Sequence, residues 1–276
     1  MDTTYKRRGG ITMQPFFTYF GAKWRNSTAY PDPQFDTIIE PFCGAAGYSV
    51  RRSNGRNVEL YDKSEHIIMT WNYLIGASEK EIRNLPDIEY GTSVEDEKYK
   101  LTQEQQNFVG WFMNTGTVKP YKKPSKWFAP ESAFDASIIW GQVRRNRISS
   151  QLRYIRHWKA TQSSYEDIPN KEACWFIDPP YQVHGKHYKH SNKYIDFKHL
   201  GEWCKARKGQ YIVCEGIEAD WLPFEALGRF KTKSDKKKKD QLAKNGEFKE
   251  MEYIYTNTPL PKQLSLLDFC TSLEEV

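Results

Sequence analysis

The feature that most constrains this chain is an apolar run that stops at an acid and two prolines. Residues Ala173–Ile177 are all apolar, and Asp178-Pro179-Pro180-Tyr181 follows them directly. A short, wholly apolar run is typical of a buried strand, and proline ends such a strand because it lacks the N–H that a sheet needs. Ligands of open α/β sheets bind outside the carboxyl ends of the strands. The sequence therefore predicts a central strand whose end carries a functional turn.

The Asp-Pro-Pro-Tyr turn carries groups suited to an amine acceptor. The exocyclic amine of a nucleobase is a poor nucleophile, because its lone pair is delocalised into the ring. The Asp178 carboxylate and the Pro179 carbonyl can each accept a hydrogen bond from such an amine, and the prolines hold both acceptors in place beforehand. Tyr181 offers a flat face on which an extruded base can stack. The alternative is structural: an aspartate that ends a strand and prolines that stiffen a loop.

Composition indicates a globular protein with a sizeable core. The chain has 276 residues, of which 38% are hydrophobic and 15% aromatic. Its formal net charge of +6 is compatible with a polyanionic partner. No apolar run approaches the roughly 20 residues of a membrane span, and the cysteines form no C-x-x-C pair. We therefore expect a soluble, cytoplasmic protein without a membrane partner, and we expect its cysteines to be reduced and buried.

Two short strands and a loop of small residues predict a nucleoside site. Thr37–Glu40 is predicted as a buried strand, and the loop 41–47 then enters a helix. The loop matches neither the dinucleotide nor the phosphate-loop pattern, which favours a nucleoside without phosphates. A second strand, 58–61, ends at Asp62, where an acid can accept hydrogen bonds from both ribose hydroxyls. The alternative is an N-cap or turn aspartate, because a helix begins shortly after it.

An aromatic segment near the start of the chain leads into a glycine turn and a cation. Residues 16–20 are aromatic apart from Thr18, and Gly21 and Lys23 follow. Such a turn lets the backbone approach a ligand, and Lys23 can pair with a carboxylate. An ordinary turn with a solvated lysine is the alternative.

The middle of the chain, from about residue 85 to 159, departs from the alternation of strands and helices. Thr102 and Gln105 resemble a capping box that opens a helix. Residues 119–127 form a basic, aromatic loop stiffened by prolines, and 144–159 is predicted as a second helical stretch. Acids are almost absent from 144 to 159, and basic residues are interleaved with aromatic ones, a pattern that favours contact with a phosphate backbone. A solvated helix face, or pairing with acids elsewhere, is the alternative. The residues predicted to bind DNA are Lys122, Lys123, Lys126, Arg144, Arg145 and Arg147.

The last third of the chain contains further elements and two unusual loops. We expect a helix over 197–207 capped by Asp196, and strands over 211–214 and 251–255. The run 229–240 is strongly basic and is predicted to be a mobile loop. His184, His187 and His190 recur every third residue in a polar loop. We interpret that loop as facing DNA rather than binding a metal, because no thiol or acid stands at ligand spacing.

In their order along the chain, these motifs resemble the Dam-like group of DNA adenine-N6 methyltransferases. The resemblance rests on Tyr19-Phe20-Gly21-Ala22-Lys23, Glu40-Pro41-Phe42-Cys43-Gly44, Asp62 and Asp178-Pro179-Pro180-Tyr181. Ser164-Tyr165 before the central strand and the segment 252–257 near the end are also similar to the group. Two departures stand out. The loop has Gly44-Ala45-Ala46-Gly47 where the group usually has Gly-x-Gly, and Glu215-Gly216 follows a strand where a small polar pair is commoner.

The resemblance implies an α/β protein with a seven-stranded, mostly parallel Rossmann-like methyltransferase sheet. Residues 14–84 and 160–276 would form the catalytic domain, and 85–159 an inserted, mainly helical target-recognition region. It implies S-adenosylmethionine as cofactor, double-stranded DNA as partner, no metal, and a monomer as the expected form. The catalytic residues would be Asp178, Pro179, Pro180 and Tyr181. The cofactor-binding residues would be Tyr19, Phe20, Gly21, Lys23, Glu40, Phe42, Gly44, Asp62, Tyr165 and Asp178.

Two alternative functions remain compatible with these motifs. The first keeps the fold and changes the acceptor to N4 of cytosine or to an RNA base. An aspartate at the head of the tetrapeptide argues against cytosine, for which Ser-Pro-Pro-Tyr is usual in related families. The second is a nucleic-acid-binding protein with a lapsed active site, which the altered glycine loop would allow. The intact Asp178, Tyr181, Lys23 and Asp62 argue against it.

Overall fold

A seven-stranded sheet forms the centre of the protein. The structure, a computed structural model, describes residues 12–114, 116–132, 135–183, 185–188, 190–229 and 251–259. The strands in this part of the chain are β1 (Thr37–Glu40), β2 (Asn57–Asp62), β3 (Lys159–Gln162), β4 (Ala173–Ile177), β5 (Gly209–Glu215), β6 (Glu225–Arg229) and β7 (Met251–Thr256). Their order across the sheet is β3-β2-β1-β4-β5-β7-β6. Neighbours from β3 to β5 are parallel, whereas β7 runs antiparallel to both β5 and β6.

Helices follow the strands and cover the sheet, as parallel pairing requires, because parallel neighbours need crossover connections. The helices are α1 (Gly47–Arg52), α2 (Glu65–Gly76), α3 (Glu79–Arg83), α4 (Gln103–Met113), α5 (Gln142–Gln151) and α6 (Phe197–Lys205). The α/β architecture with a mostly parallel sheet of seven strands, compatible with a Rossmann-like fold, is therefore confirmed.

Strand β4 lies between β1 and β5 and is buried along its whole length. Because strand side chains alternate between the two faces, Trp175 packs in one hydrophobic cluster and Phe176 in the other. Tyr48 from α1 stacks on Phe176 with ring centroids 4.3 Å apart. Burial on both faces explains why this run is continuously apolar. The same burial fixes where the strand ends, and so where the Asp-Pro-Pro-Tyr turn begins.

The segment 85–159 packs into the same core as the first third of the chain. The predicted capping box is present: Thr102 accepts from the backbone of Gln105, whose side chain bonds back to Thr102. Trp111 on α4 is buried and donates its indole N–H to Thr70 on α2 at 2.7 Å. Phe112 packs against Trp140, with ring centroids 4.7 Å apart. The segment therefore shares a core with the rest of the protein, and its role as a separate recognition unit stays a prediction.

Several sequence predictions need correction or fall outside the described residues. Strands β3 and β6 were not predicted, because β3 is mostly exposed and polar and β6 is an irregular edge strand. The basic helical stretch is shorter than expected, since α5 ends at Gln151 and Lys159 already belongs to β3. The tail 1–11 and most of the basic run, 230–240, lie outside the described residues.

Candidate active site

A cleft that opens to solvent lies at the carboxyl ends of β1, β2 and β4. Glu40 ends β1, Asp62 ends β2, and Asp178 directly follows β4. The register of these parallel strands places the three acids along one edge of the sheet. All of the residues predicted to bind a cofactor line this cleft: Tyr19, Phe20, Gly21, Lys23, Glu40, Phe42, Gly44, Asp62, Tyr165 and Asp178.

Lys23 and Asp178 form a bidentate ion pair at the cleft floor. The Lys23 ammonium donates to Asp178 Oδ1 at 2.7 Å and to Oδ2 at 2.9 Å. The lysine is only 8% exposed. Burial raises the pKa of Asp178, although Lys23 opposes that rise. Burial also disfavours the ammonium, but Asp178 and Glu252 outweigh it and hold the pKa of Lys23 above its ordinary value.

A second carboxylate, Glu252 on β7, lies beside this ion pair. Tyr181 donates its hydroxyl to Glu252 Oε1 at 2.5 Å, and Lys23 Nζ lies 3.9 Å from the same oxygen. Lys23 Nζ also lies 4.7 Å from the centre of the Tyr181 ring. The tyrosine thus sits in the ionic cluster, with the ammonium over its ring. Glu252 begins the segment 252–257 that contributes to the sequence resemblance, but the resemblance assigns this glutamate no role.

The glycine loop turns tightly in spite of its altered sequence. Gly44 and Ala46 both have φ of +46°, the left-handed region that glycine tolerates best. Ala46 is the N-cap of α1 in that conformation. At Gly47 an added Cβ would stand 2.4 Å from the backbone nitrogen of Trp24. The strand-to-helix turn therefore forms without the Gly-x-Gly pattern. Its backbone is strained at Ala46, which adopts a left-handed conformation.

Glu40 and Asp62 hold this loop in place. Glu40, 2% exposed, accepts a hydrogen bond from the backbone N–H of Ser49 at 2.8 Å. Asp62 accepts from the backbone N–H of Gly44 at 3.1 Å and from that of Ser64 at 2.8 Å. Burial raises the pKa of Glu40 to about 8 and that of Asp62 to about 6. Asp62 therefore makes the turn contacts of the structural alternative while it also lines the cleft.

Two aromatic side chains, Phe42 and Tyr165, form part of the cleft lining. Phe42 and Tyr165 lie with ring centroids 5.5 Å apart. The Tyr165 hydroxyl is hydrogen bonded to His199 Nδ1 on α6 at 2.9 Å, which fixes the ring. Ile195 completes the apolar lining on this side. A flat ring system fits such a wall.

Glu215 explains one departure from the expected motif. Its carboxylate accepts from the backbone N–H of Gln182 at 3.1 Å and from the Trp221 indole at 2.9 Å. It therefore anchors the chain just after Tyr181, and burial raises its pKa to about 7.

The basic residues predicted to bind DNA occupy different environments. Arg145 is 4% exposed and pairs with Asp87 at 2.6 Å, as in the structural alternative. Arg144 and Arg147 are half-buried and donate to the carbonyls of Ile138 and Pro15, at 2.6 and 2.9 Å. Burial lowers the pKa of Arg147 to about 10, and the positive charge of Arg144 contributes to the shift. Neither forms a salt bridge with an acid within the described ranges. Lys122, Lys123 and Lys126 are exposed, and Lys122 pairs with Glu95.

Comparison with known proteins adds no family assignment. No protein-family model matches the sequence, and a search of curated proteins found no match. Among the residues described, no helix combines the length and apolar character needed to cross a membrane. No group of three or more potential metal ligands occurs among the residues that the structure covers, which exclude His184. His190 lines the cleft.

Proposed function

We propose that this protein transfers a methyl group from S-adenosylmethionine to the N6 amine of adenine in DNA. The observation that carries this proposal is the ion pair between Lys23 and Asp178. It joins the amino-terminal motif to the Asp-Pro-Pro-Tyr turn on the floor of one cleft. The same cleft contains Asp62 and the glycine loop, so that the motifs behind the sequence resemblance converge in space.

One carboxylate of the cleft favours a cationic ligand group. Asp62 and Asp178 both face the cleft, but Asp178 is paired with Lys23, whereas Asp62 forms no salt bridge within the described ranges. Glu40, with a pKa of about 8, is mostly protonated at neutral pH, and Lys63 also lines the cleft, so the preference for a cation such as a sulfonium rests on Asp62. Asp62 keeps lone pairs for ribose hydroxyls, since a carboxylate offers about four lone-pair sites and its known contacts use two. Phe42 and Tyr165 would hold the adenine ring of the cofactor.

The residues of the turn would prepare the substrate amine. When bound, S-adenosylmethionine supplies an electrophilic methyl group. The Asp178 carboxylate and the Pro179 carbonyl would accept the two amine hydrogens and so localise the nitrogen lone pair. Burial raises the pKa of Asp178, which suits it to receive the proton that the amine must lose. Because Lys23 engages both Asp178 oxygens, the amine must compete with the ammonium for them.

Two features of the segment 85–159 support the proposal that it contacts a DNA substrate. The carbonyl of Thr117 accepts from the backbone N–H of Phe20 at 3.1 Å, and Val118 lines the cleft. Phe20 is 44% exposed beside this contact. The exposed Lys123 and Lys126 follow within the same segment. We therefore propose that this segment holds the duplex while an extruded adenine enters the cleft.

Identification of the modified base tests this function directly. The purified protein is incubated with S-adenosylmethionine labelled in its methyl group and with duplex DNA containing all short sequence contexts, and the nucleosides are then separated. We expect label in N6-methyladenine, and none when Asp178→Ala replaces the wild type. Label in N4-methylcytosine or in a parallel RNA sample would identify the first alternative. DNA binding without label in any base would support a lapsed enzyme.

A further inference from the structure

Three charged groups meet at the Asp-Pro-Pro-Tyr turn: the buried Lys23 and Glu252, and the partly buried Asp178. Lys23 Nζ lies 2.7 Å from Asp178 Oδ1 but 3.9 Å from Glu252 Oε1. The Glu252 carboxylate is fixed by the Tyr181 hydroxyl at 2.5 Å. The ammonium thus binds one carboxylate closely, while a second, immobilised carboxylate lies just beyond hydrogen-bond reach.

We propose that Glu252 receives the Lys23 ammonium when the substrate amine takes over Asp178. This inference rests on the proposed methyl transfer and adds a positioning residue to it. Lys23 engages both Asp178 oxygens, so an arriving amine has to displace it from at least one of them. A buried ammonium that loses its hydrogen-bonded carboxylate is strongly destabilised. Glu252 removes that penalty, because it offers a second carboxylate a short side-chain movement away.

The surroundings of Lys23 favour such a movement. The ammonium lies 4.7 Å from the centre of the Tyr181 ring, whose face stabilises a cation on its way to the Glu252 carboxylate. Lysine suits this role because its charge sits on a flexible stem rather than on a rigid fork. Asp178 and Glu252 together keep the ammonium charged.

The other titratable groups around the cluster do not change this charge count. Among the described residues, Tyr30, Tyr181, Tyr188 and Cys214 also interact with it. Burial raises the pKa of each, so all four are neutral at neutral pH. The ion cluster therefore consists of one ammonium and two carboxylates.

A double-mutant cycle separates this role from a purely structural one. The variants are Glu252→Gln, Lys23→Met and the double mutant, with Glu225→Gln on the neighbouring strand β6 as control. Glutamine keeps an acceptor for the Tyr181 hydroxyl but removes the charge that would attract Lys23. We expect Glu252→Gln to lower kcat at least tenfold in the wild-type background and less than twofold in the Lys23→Met background. S-adenosylmethionine affinity should remain within twofold, and the control should match wild type.

An equal loss in both backgrounds would overturn the proposal, because Glu252 would then act only through Tyr181 or the fold. If a variant fails to fold, a structure of the wild-type protein with an adenine-containing duplex and a sulfonium-free cofactor analogue decides the matter. Nζ should lie within hydrogen-bond distance of Glu252 in that complex, and a lysine still bidentate on Asp178 would refute the inference. A wild-type protein that methylates no nucleic acid contradicts the proposed function itself, whereas additive losses in an active enzyme contradict only the role of Glu252.

Discussion

The Asp62 carboxylate ties the end of β2 to the glycine loop, because its Oδ2 accepts a hydrogen bond from the Gly44 backbone N–H at 3.1 Å. Its other oxygen accepts from the Ser64 N–H at 2.8 Å, at the start of α2. One side chain thus sets the distance between two loops that both border the cleft. The position of Asp62 is therefore compatible with two roles, holding the loops and binding the ribose of the cofactor. Only the second role predicts that removal of the carboxylate weakens S-adenosylmethionine binding.

Replacement of Asp62 by alanine should weaken S-adenosylmethionine binding by about 1–3 kcal/mol, the scale of hydrogen bonds to a charged group. Asp62→Asn keeps an acceptor for one backbone N–H and should lose less affinity. Titration calorimetry on folded variants measures both. An unchanged dissociation constant for Asp62→Ala would leave Asp62 with its turn role alone.

Asp62 should also make stability depend on pH. Burial raises its pKa to about 6, from the ordinary 3.8. The folded state therefore holds this proton more tightly than the unfolded state, so the contribution is fully present below pH of about 4 and is lost as the pH rises through about 6. The loss amounts to at most about 3 kcal/mol. Asp62→Asn should flatten the stability profile in this window, and denaturant unfolding at several pH values checks it; a parallel profile for the variant would contradict the assignment.

Asp178→Asn should raise the activation free energy of methyl transfer by about 3 kcal/mol or more. This is the cost of removing a preorganised partner of a transition state. Asparagine keeps the size of the side chain, and Glu252 at 3.9 Å remains as a carboxylate for Lys23, so we expect the fold to persist. Turnover is measured with labelled cofactor, and circular dichroism verifies folding. Activity within tenfold of wild type would exclude the catalytic role of Asp178.

The glycine loop offers two substitutions of opposite sign. Gly44→Ala should destabilise the protein by about 1–3 kcal/mol, because φ is +46° and the new Cβ would stand 2.9 Å from the Tyr19 ring. Ala46→Gly relieves a left-handed alanine, which costs about 1–2 kcal/mol. The greater backbone entropy of unfolded glycine offsets about 0.5–1 kcal/mol of that gain. Melting temperatures should therefore fall for the first variant and hold or rise for the second. Equal losses for both would show that the loop requires alanine at 46.

Much of the fold and of the cleft could be predicted because each depends on local pattern. Strands β1 and β4 are buried and apolar, so their bounds follow from the sequence itself. The Thr102 capping box is a four-residue signal and is present as predicted. Because carboxyl ends of parallel strands share one edge, Asp62 and Asp178 could be assigned to a ligand site before any contact was known, and the resemblance added Glu40 to it.

The remainder depends on contacts between distant residues, which local pattern does not encode. Strand β3 is polar because it lies at the sheet edge, so it lacks an apolar signal. Glu252 reaches Tyr181 only because β7 inserts antiparallel beside β5. Arg145 belongs to a basic run in the sequence, yet its partner Asp87 comes from a loop far from it along the chain. A run of like charges therefore did not reveal which of its members face solvent.

The final prediction distinguishes the arginines of α5 by their surroundings. Arg144 and Arg147 are bonded to backbone carbonyls and lie close enough for Arg144 to lower the pKa of Arg147. Two neighbouring cations with no carboxylate partner among the described residues suit a phosphate, and each neutralised phosphate adds about 0.9 to the slope of log affinity against log salt. Arg145 is buried against Trp140 and Asp87 and should serve as the matched control.

Replacing Arg144 and Arg147 together by alanine should flatten the salt slope by about one to two units and leave cofactor affinity unchanged. Arg145→Ala should instead cost about 1–3 kcal/mol of stability, through a lost ion pair and lost packing, with the slope intact. Equilibrium binding to duplex DNA at several salt concentrations, together with melting curves, measures both effects. A slope that stays the same in the Arg144 and Arg147 double mutant would remove α5 from the DNA interface. Lys123 and Lys126 would then be the next residues to replace. Both lie in the same segment and are exposed, so their replacement should not disturb the core.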